Sequence, residues 1–246
     1  VPNLKNLLWA GALALSLNDS SAEAAQPEQA SGAQEPLRQP IRYAALGASD
    51  TVGVGTRAPA RDNWTARLHA KLPPGTEYAR FARSGILLAD AAEREVPQAI
   101  AFRPTLVTLW LSVNDLTHGV PLPRYRESLR AVLGRLTRET NAQVALLNVP
   151  DLSALPRGAA ARAQLAAMTA AWNEALASTA AEFPGRVIVV DLAAASRELP
   201  AHAEWISSDG FHPSAAGYQK LAEITEAALR RAGLLPAKAP RPAEAR

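Results

Sequence analysis

Ser49, Asp209 and His212 are the residue types that nucleophilic hydrolysis needs: a hydroxyl to attack, an imidazole to take its proton, and a carboxylate to fix the imidazole's tautomer. Ser49 follows a short apolar run, Ile41-Arg-Tyr-Ala-Ala-Leu-Gly47, and Gly53 and Gly55 come soon after it. That pattern reads as a strand delivering a serine into a tight turn. In Ser208-Asp209-Gly210-Phe211-His212-Pro213, the three-residue spacing lets a single turn bring the carboxylate to one imidazole nitrogen and leave the other for the serine. Gly210 permits the sharp backbone, and Pro213 biases His212 away from the right-handed helical region, so the histidine stands at the entrance of the helix that follows.

Asp115-Leu116-Thr117-His118 is a rival with the same Asp-x-x-His spacing, also after a strand. Pro121 and Pro123 point to an extended loop there, and Asn114 beside it is better used as an oxyanion donor, which favours His212 as the base. His69 falls within an amphipathic helix and reads as a surface residue, while His202 sits in an irregular polar stretch. Any one of these polar residues could serve only as a turn former or a helix cap; their combination is what points to catalysis.

Groups that work together must be positioned by the fold, and the rest of the chain reads as strands alternating with helices. After the first strand, Trp64, Leu68 and Leu72 mark one helix over 60–72, ended by Pro73-Pro74-Gly75. Residues 76–82 form a second strand, leading through Ser84 and Gly85 to a helix over 86–96. The run 105–111 is apolar on both faces, as suits the centre of a parallel sheet, and ends at Ser112-Val113-Asn114-Asp115. A helix over 124–139, a strand over 142–149 closed by Asn148-Val149-Pro150-Asp151, a long helix over 159–183, a last strand over 186–191 and a terminal helix over 214–232 complete the pattern. It implies an α/β protein, a three-layer α/β/α sandwich with a mainly parallel, flavodoxin-like five-stranded sheet. Functional groups in such a sheet lie past the C-terminal ends of its strands, where Ser49, Gly85, Asn114 and His212 all fall.

Composition narrows the function. The 246 residues and 48% hydrophobic content fit one domain with a full core. The net charge of +3 comes from basic residues interspersed with acids and without interleaved aromatics, which argues against nucleic acid as a partner. The absence of cysteine removes thiolate metal sites and cysteine nucleophiles, and no His-Glu-x-x-His stands in the chain, so neither a metal nor a cofactor is expected. Lys5, the apolar run Leu7–Leu17 and Ala22-Glu23-Ala24 read as a signal peptide over 1–24, with a retained membrane anchor as the competitor. The run is too short to span a bilayer, so export to the periplasm or beyond is expected, with no stable membrane span in the mature protein. A linker over 25–40, one domain over 41–235 and a flexible proline-rich tail over 236–246 complete the organisation.

Gly47-Ala48-Ser49-Asp50, Gly85, Ser112-Val113-Asn114-Asp115 and Asp209-Gly210-Phe211-His212-Pro213 resemble, in order, the four blocks of the SGNH hydrolases, the GDSL-type esterases and lipases. The resemblance implies Ser49 as nucleophile, His212 as general base, Asp209 as its orienting acid, and an oxyanion hole made by the Ser49 and Gly85 N–H groups with the Asn114 amide. Ala48 stands where the family often has Asp, and Ser112 where it often has Gly. Asn148-Val149-Pro150 resembles a family loop bordering the acyl pocket. The expected function is therefore an exported serine esterase acting on short or medium acyl esters of small molecules, lipids or carbohydrates. The alternatives on the same triad are a lysophospholipase, a thioesterase or an acyltransferase. A non-catalytic nucleotide or carbohydrate binder is the alternative of another class, and against its nucleotide form Gly47, Gly53 and Gly55 do not make Gly-x-Gly-x-x-Gly.

Overall fold

Two five-residue strands carry no exposed position at all, β3 (Leu106–Trp110) and β4 (Gln143–Leu147), and they form the buried centre of the sheet. A computed structural model describes residues 36–37, 40–156 and 161–236. The remaining elements in chain order are β1 (Arg42–Gly47), α1 (Ser49–Val52), α2 (Pro59–Asp62), α3 (Trp64–His69), β2 (Glu77–Ala82) and α4 (Leu88–Ala101) before β3. Then α5 (Val113–Thr117) and α6 (Leu122–Glu139) precede β4, and α7 (Arg162–Ala181), β5 (Val187–Val190), α8 (Leu192–Ala195) and α9 (Ala215–Arg231) follow it. Short 3-10 segments lie at Leu152–Ala154, Ser196–Ala201 and Ala203–Trp205. The expected signal peptide, most of the linker and the tail after residue 236 lie outside the described residues.

The five strands run in the order β2-β1-β3-β4-β5, every pair parallel. The α/β/α, flavodoxin-like arrangement is therefore as expected. Helix α3 packs on α9, while α4, α6 and α7 pack in sequence, so the two sets cover the two sides of the sheet. The chain leaves β1 towards β2 and then returns to place β3 on the other side of β1. The ends of β1 and β3 thus flank the point where the winding reverses, the place where open sheets form their ligand crevice.

Several boundaries differ from expectation for identifiable reasons. The single helix over 60–72 is two, because Asn63 is fully buried in an extended conformation between them. Its side-chain oxygen accepts from Ala66 N at 2.9 Å, capping α3, while its amide donates to Pro59 O and Ala60 O. Trp64, Leu68 and Leu72 nevertheless form the buried stripe. The helix expected to end at Val96 continues past Pro97 to Ala101, since buried Ala99 extends its apolar face. His69 is not a free surface residue: it is half-buried, its Nε2 lies 2.9 Å from Thr76 O, and its ring stacks on Tyr78. Leu37, inside the expected linker, is buried and donates its N–H to Leu234 O at 3.2 Å, so the domain gathers this residue against its own far end. Among the described residues no helix is long and apolar enough to cross a membrane.

Arg186, at the mouth of β5, ties this architecture together. Its guanidinium donates to Thr137 O, Thr140 O and Ala142 O at distances from 2.9 to 3.3 Å, satisfying carbonyls at the C-terminal end of α6 where a cation also complements the helix dipole. Replacing it by methionine keeps the apolar stem and strands those carbonyls. Arg186→Met is expected to cost on the order of 2 kcal/mol, read as a lower urea midpoint with an unchanged slope.

Candidate active site

Ser49 opens α1 directly after β1. Glycine is required at position 47, two residues earlier, because a Cβ on Gly47 would stand 1.9 Å from the Thr51 hydroxyl. Being the first residue of a helix, Ser49 has an N–H with no partner inside that helix, so the donor is left for something else. The hydroxyl lies 3.0 Å from His212 Nε2, and the two residues are 163 positions apart.

The turn carrying His212 is built around Asp209. Its Oδ1 accepts from Ser207 Oγ at 2.9 Å, Phe211 N at 2.8 Å and His212 N at 2.9 Å, and its Oδ2 accepts from His212 Nδ1 at 2.6 Å. Burial alone would raise the Asp209 carboxyl, but the His212 side chain and these other donors together hold it well below the usual carboxylate range. With an acceptor-only carboxylate on Nδ1, that nitrogen carries the proton and Nε2 is free to accept from Ser49. Gly210 turns the chain at φ +70°, and Ser207 N donates to His212 O at 2.8 Å to close the loop.

Two contacts set this turn against the serine. Gly55, at φ +97°, comes so close that a Cβ would stand 2.6 Å from Pro213 O. Tyr218, on the first turns of α9, donates its hydroxyl to Val54 O at 2.6 Å. Gly53 and Gly55 thus shape the loop behind the serine.

Asn114 lies in α5 beyond the end of β3. One hydrogen of its amide is donated to Ile86 O at 3.0 Å, tying it to the loop of Gly85, which turns at φ +77°. Ser49, Gly85, Asn114 and His212 all line one cleft of about 1120 Å³ counted out to its mouth. All five residues expected from the sequence therefore meet at one place, four in the cleft wall and Asp209 behind His212.

The rival pair is not joined. Asp115 turns inward and accepts from Leu88 N at 3.1 Å, at the start of α4, while His118 stands exposed at the cleft with Nδ1 against Asn114 O at 2.8 Å. In the loop at 148–150, Asn148 is buried and braces the chain after β5, donating to Asp191 Oδ1 and accepting from Leu192 N, while Pro150 lines an apolar hollow beside the cleft.

Sequence reasoning missed Ser207 and Asp50, and it read Asp115 only as the acid of the rival pair. Ser207 had a readable signal, a hydroxyl two residues before an aspartate in a turn. The capping role of Asp115 had none, since its partner is 27 residues away. Burial pushes the Asp115 carboxyl up to about 6, against the opposing hydrogen bond from Leu88. Asp50, next to the serine, is also pushed up to about 6 by burial, with His212 pulling it down and Asp209 pushing it up.

The fold and the site together define a flavodoxin-like α/β protein of the hydrolase kind, with serine, histidine and aspartate in one hydrogen-bonded line. A model of the GDSL-like lipase/acylhydrolase family matches residues 45–220. The chain belongs to that family, and so to the ester-cleaving hydrolases. Among curated proteins none matches significantly. Solved structures do. A catalytic variant of Axe2, an acetylxylan esterase from Geobacillus stearothermophilus, is 18% identical with a TM-score of 0.66 over 82% of this chain and 98% of its own. The psychrotrophic esterase EstA from a Pseudoalteromonas species is 15% identical with a TM-score of 0.61 over 78% and 97%. The lipase Lip_vut3 from a goat rumen metagenome is 20% identical with a TM-score of 0.60 over 80% and 99%. At these identities the likeness is one of fold.

The buried carboxyl of Asp115 gives a testable pH dependence. In the folded chain it keeps its proton up to about 6, whereas its ordinary value is 3.8. The folded state therefore binds more protons across that window, and stability falls as pH rises through it, by at most about 3 kcal/mol. Asp115→Asn keeps an acceptor for Leu88 N–H without the charge. The fall in melting temperature between those pH values is expected to be shallower in the variant than in wild type.

Proposed function

We propose that the chain is a serine esterase that hydrolyses short or medium acyl esters through an acyl-enzyme on Ser49. The observation that carries this reading is the hydrogen-bonded line from Ser49 Oγ to His212 Nε2 at 3.0 Å and from His212 Nδ1 to Asp209 Oδ2 at 2.6 Å. Ser49 Oγ attacks the ester carbonyl as its proton passes to His212 Nε2. Asp209 holds the ring in the tautomer that accepts this proton and stabilises the imidazolium that results. The negative oxygen of the tetrahedral intermediate is met by the Ser49 N–H, the Gly85 N–H and the second hydrogen of the Asn114 amide. Collapse expels the alcohol, which takes the proton from Nε2. Water then repeats the sequence on the acyl-enzyme, delivers the acid and restores the serine.

Supporting this reading, the Asp209 carboxyl is held ionised by the four donors around it, so the orienting charge is present wherever the imidazole can act as a base. Asn114 is fixed by Ile86 O before substrate arrives, and a donor that needs no reorganisation is the kind that lowers a barrier. The reading includes work outside the cytoplasm: Lys5, the apolar run to Leu17 and Ala22-Glu23-Ala24 support removal of residues 1–24 as a leader. The substrates are esters of small molecules, lipids or acylated carbohydrates, and the chemistry calls for no cofactor.

The test is a panel of p-nitrophenyl esters with four variants. Ser49→Ala and His212→Ala are expected to lose roughly four or more orders of magnitude in kcat while melting as wild type does, and Asn114→Ala on the order of a hundredfold. His118→Ala is expected to keep the same order of turnover as wild type. Most of the activity surviving in Ser49→Ala, or loss in His118→Ala with His212→Ala intact, would overturn the assignment.

A further inference from the structure

Asp50 follows the nucleophile directly in α1, yet the line from Ser49 through His212 to Asp209 leaves it unused. It lines the apolar hollow beside the cleft, of about 670 Å³ counted out to its mouth. Phe211 and Pro213, the two chain neighbours of His212, line the same hollow, so Asp50 and the histidine turn share a wall. Trp110 at the end of β3 and Gly217 on α9 belong to that wall too. A carboxylate placed among such groups is costly unless a cation or hydrogen-bond donors answer it. Among the described residues no side chain donates to it, and the backbone donor it has is its own N–H.

The charged and titratable groups around it are engaged elsewhere, with one exception. Helix α1 packs on β1, β2 and α3. On β1, Arg42 pairs with Glu77 of β2, and the Tyr43 hydroxyl pairs with Thr108. On β2, Tyr78 is bonded to Thr65 and Arg80 donates to the carbonyl oxygens of Thr51 and Val52, while Arg83 just beyond pairs with Glu95. On α3, Arg67 is held by Asp62 and Gln219, and His69 lies against Thr76 O. On α9, Lys220 lines the hollow, but its Nζ sits 2.9 Å from Glu198 Oε2 and 4.8 Å over the Trp205 ring, and Tyr218 gives its hydroxyl to Val54 O. His212 and Asp209 remain. Burial raises the Asp50 carboxyl, the His212 ring is the strongest influence in the opposite direction, and Asp209 adds to the rise.

When Ser49 attacks, its proton moves to His212 Nε2 and the ring gains a positive charge. Before the attack the ring is neutral, so a carboxylate beside it favours the transition state over the ground state. We propose that Asp50 is a positioning residue acting through His212: its carboxylate, carried on the nucleophile's own helix, joins Asp209 in stabilising the imidazolium and so eases transfer of the serine proton. The proton stays on Nε2 until the alcohol takes it, and Asp50 neither accepts nor gives one. This rests on the serine-esterase reading and adds a second carboxylate to it. Because the wall around Asp50 is apolar, the attraction is screened less than between exposed charges. It is present when Asp50 is ionised and is lost as pH falls through about 6.

The experiment measures kcat/KM for p-nitrophenyl acetate from about pH 5 to about pH 8 with wild type, Asp50→Asn, Asp50→Leu and Ser49→Ala, with a thermal melt of each. Near pH 8, where Asp50 is ionised, each neutral variant is expected to fall about tenfold below wild type. Towards pH 5, where the wild-type carboxyl takes up its proton, the variants are expected to approach wild type. A merely structural role would instead lower them by one factor at every pH. One folded variant suffices for the comparison. Variants equal to wild type throughout, or lower by a constant factor, overturn the proposal, and so does loss of folding in both, which would make Asp50 a structural residue. Failure of the underlying reading looks different, as acetate turnover that survives in Ser49→Ala.

Discussion

One carboxylate holds this site together. Asp209 gathers four donors, three of them from its own turn's backbone and from Ser207 and the fourth from the His212 ring. Without that cluster the turn has no reason to aim the imidazole across to a serine at the opposite end of the folded chain. The carboxylate does two things at once: it shapes the loop through one oxygen and fixes the tautomer through the other. Because both depend on the ionised form, loop geometry and base chemistry share a single titration.

The other half of the placement is done by packing. Helix α9 lies on α3, and the Tyr218 hydroxyl reaches Val54 O, so the helix that carries the histidine turn is braced on the loop that leaves the serine. Asn114 has a separate support, its own link to Ile86 O and the cap of neighbouring Asp115 on the start of α4. These two supports meet at the sheet, where β1 and β3 are adjacent.

Much of this was legible in the sequence, and the reason is that strands fully buried on both faces leave no ambiguity of period. The runs that became β1 and β3 located two strand ends, and those ends located Ser49 and Asn114. Asp209 and His212 were legible because they interact across three residues in a turn whose glycine and proline are visible. What was not legible depends on distance along the chain. The break at Asn63 is decided by burial against other helices, the role of Asp115 by a backbone N–H 27 residues earlier, and the fate of Asn148 by the chain after β5. An apolar hollow beside the cleft is assembled from β3, α1, α5, α8, α9 and three 3-10 segments, none of which shows a pocket on its own.

Leu152, Leu155 and Phe211 line both the cleft and the apolar hollow beside it, which bears on how such a protein can change. Serine, asparagine and glycine ride on the ends of the sheet, whereas Leu152, Leu155, Ala195 and Leu199 ride on short segments that no strand pairing constrains. Exchanges in those segments alter the shape offered to a substrate without moving the reacting atoms. The shape of the cleft wall and the placement of the hydrogen-bonded line are thereby carried by separately mutable parts of the chain, and a lineage can drift in the one while the other stays under undisturbed selection.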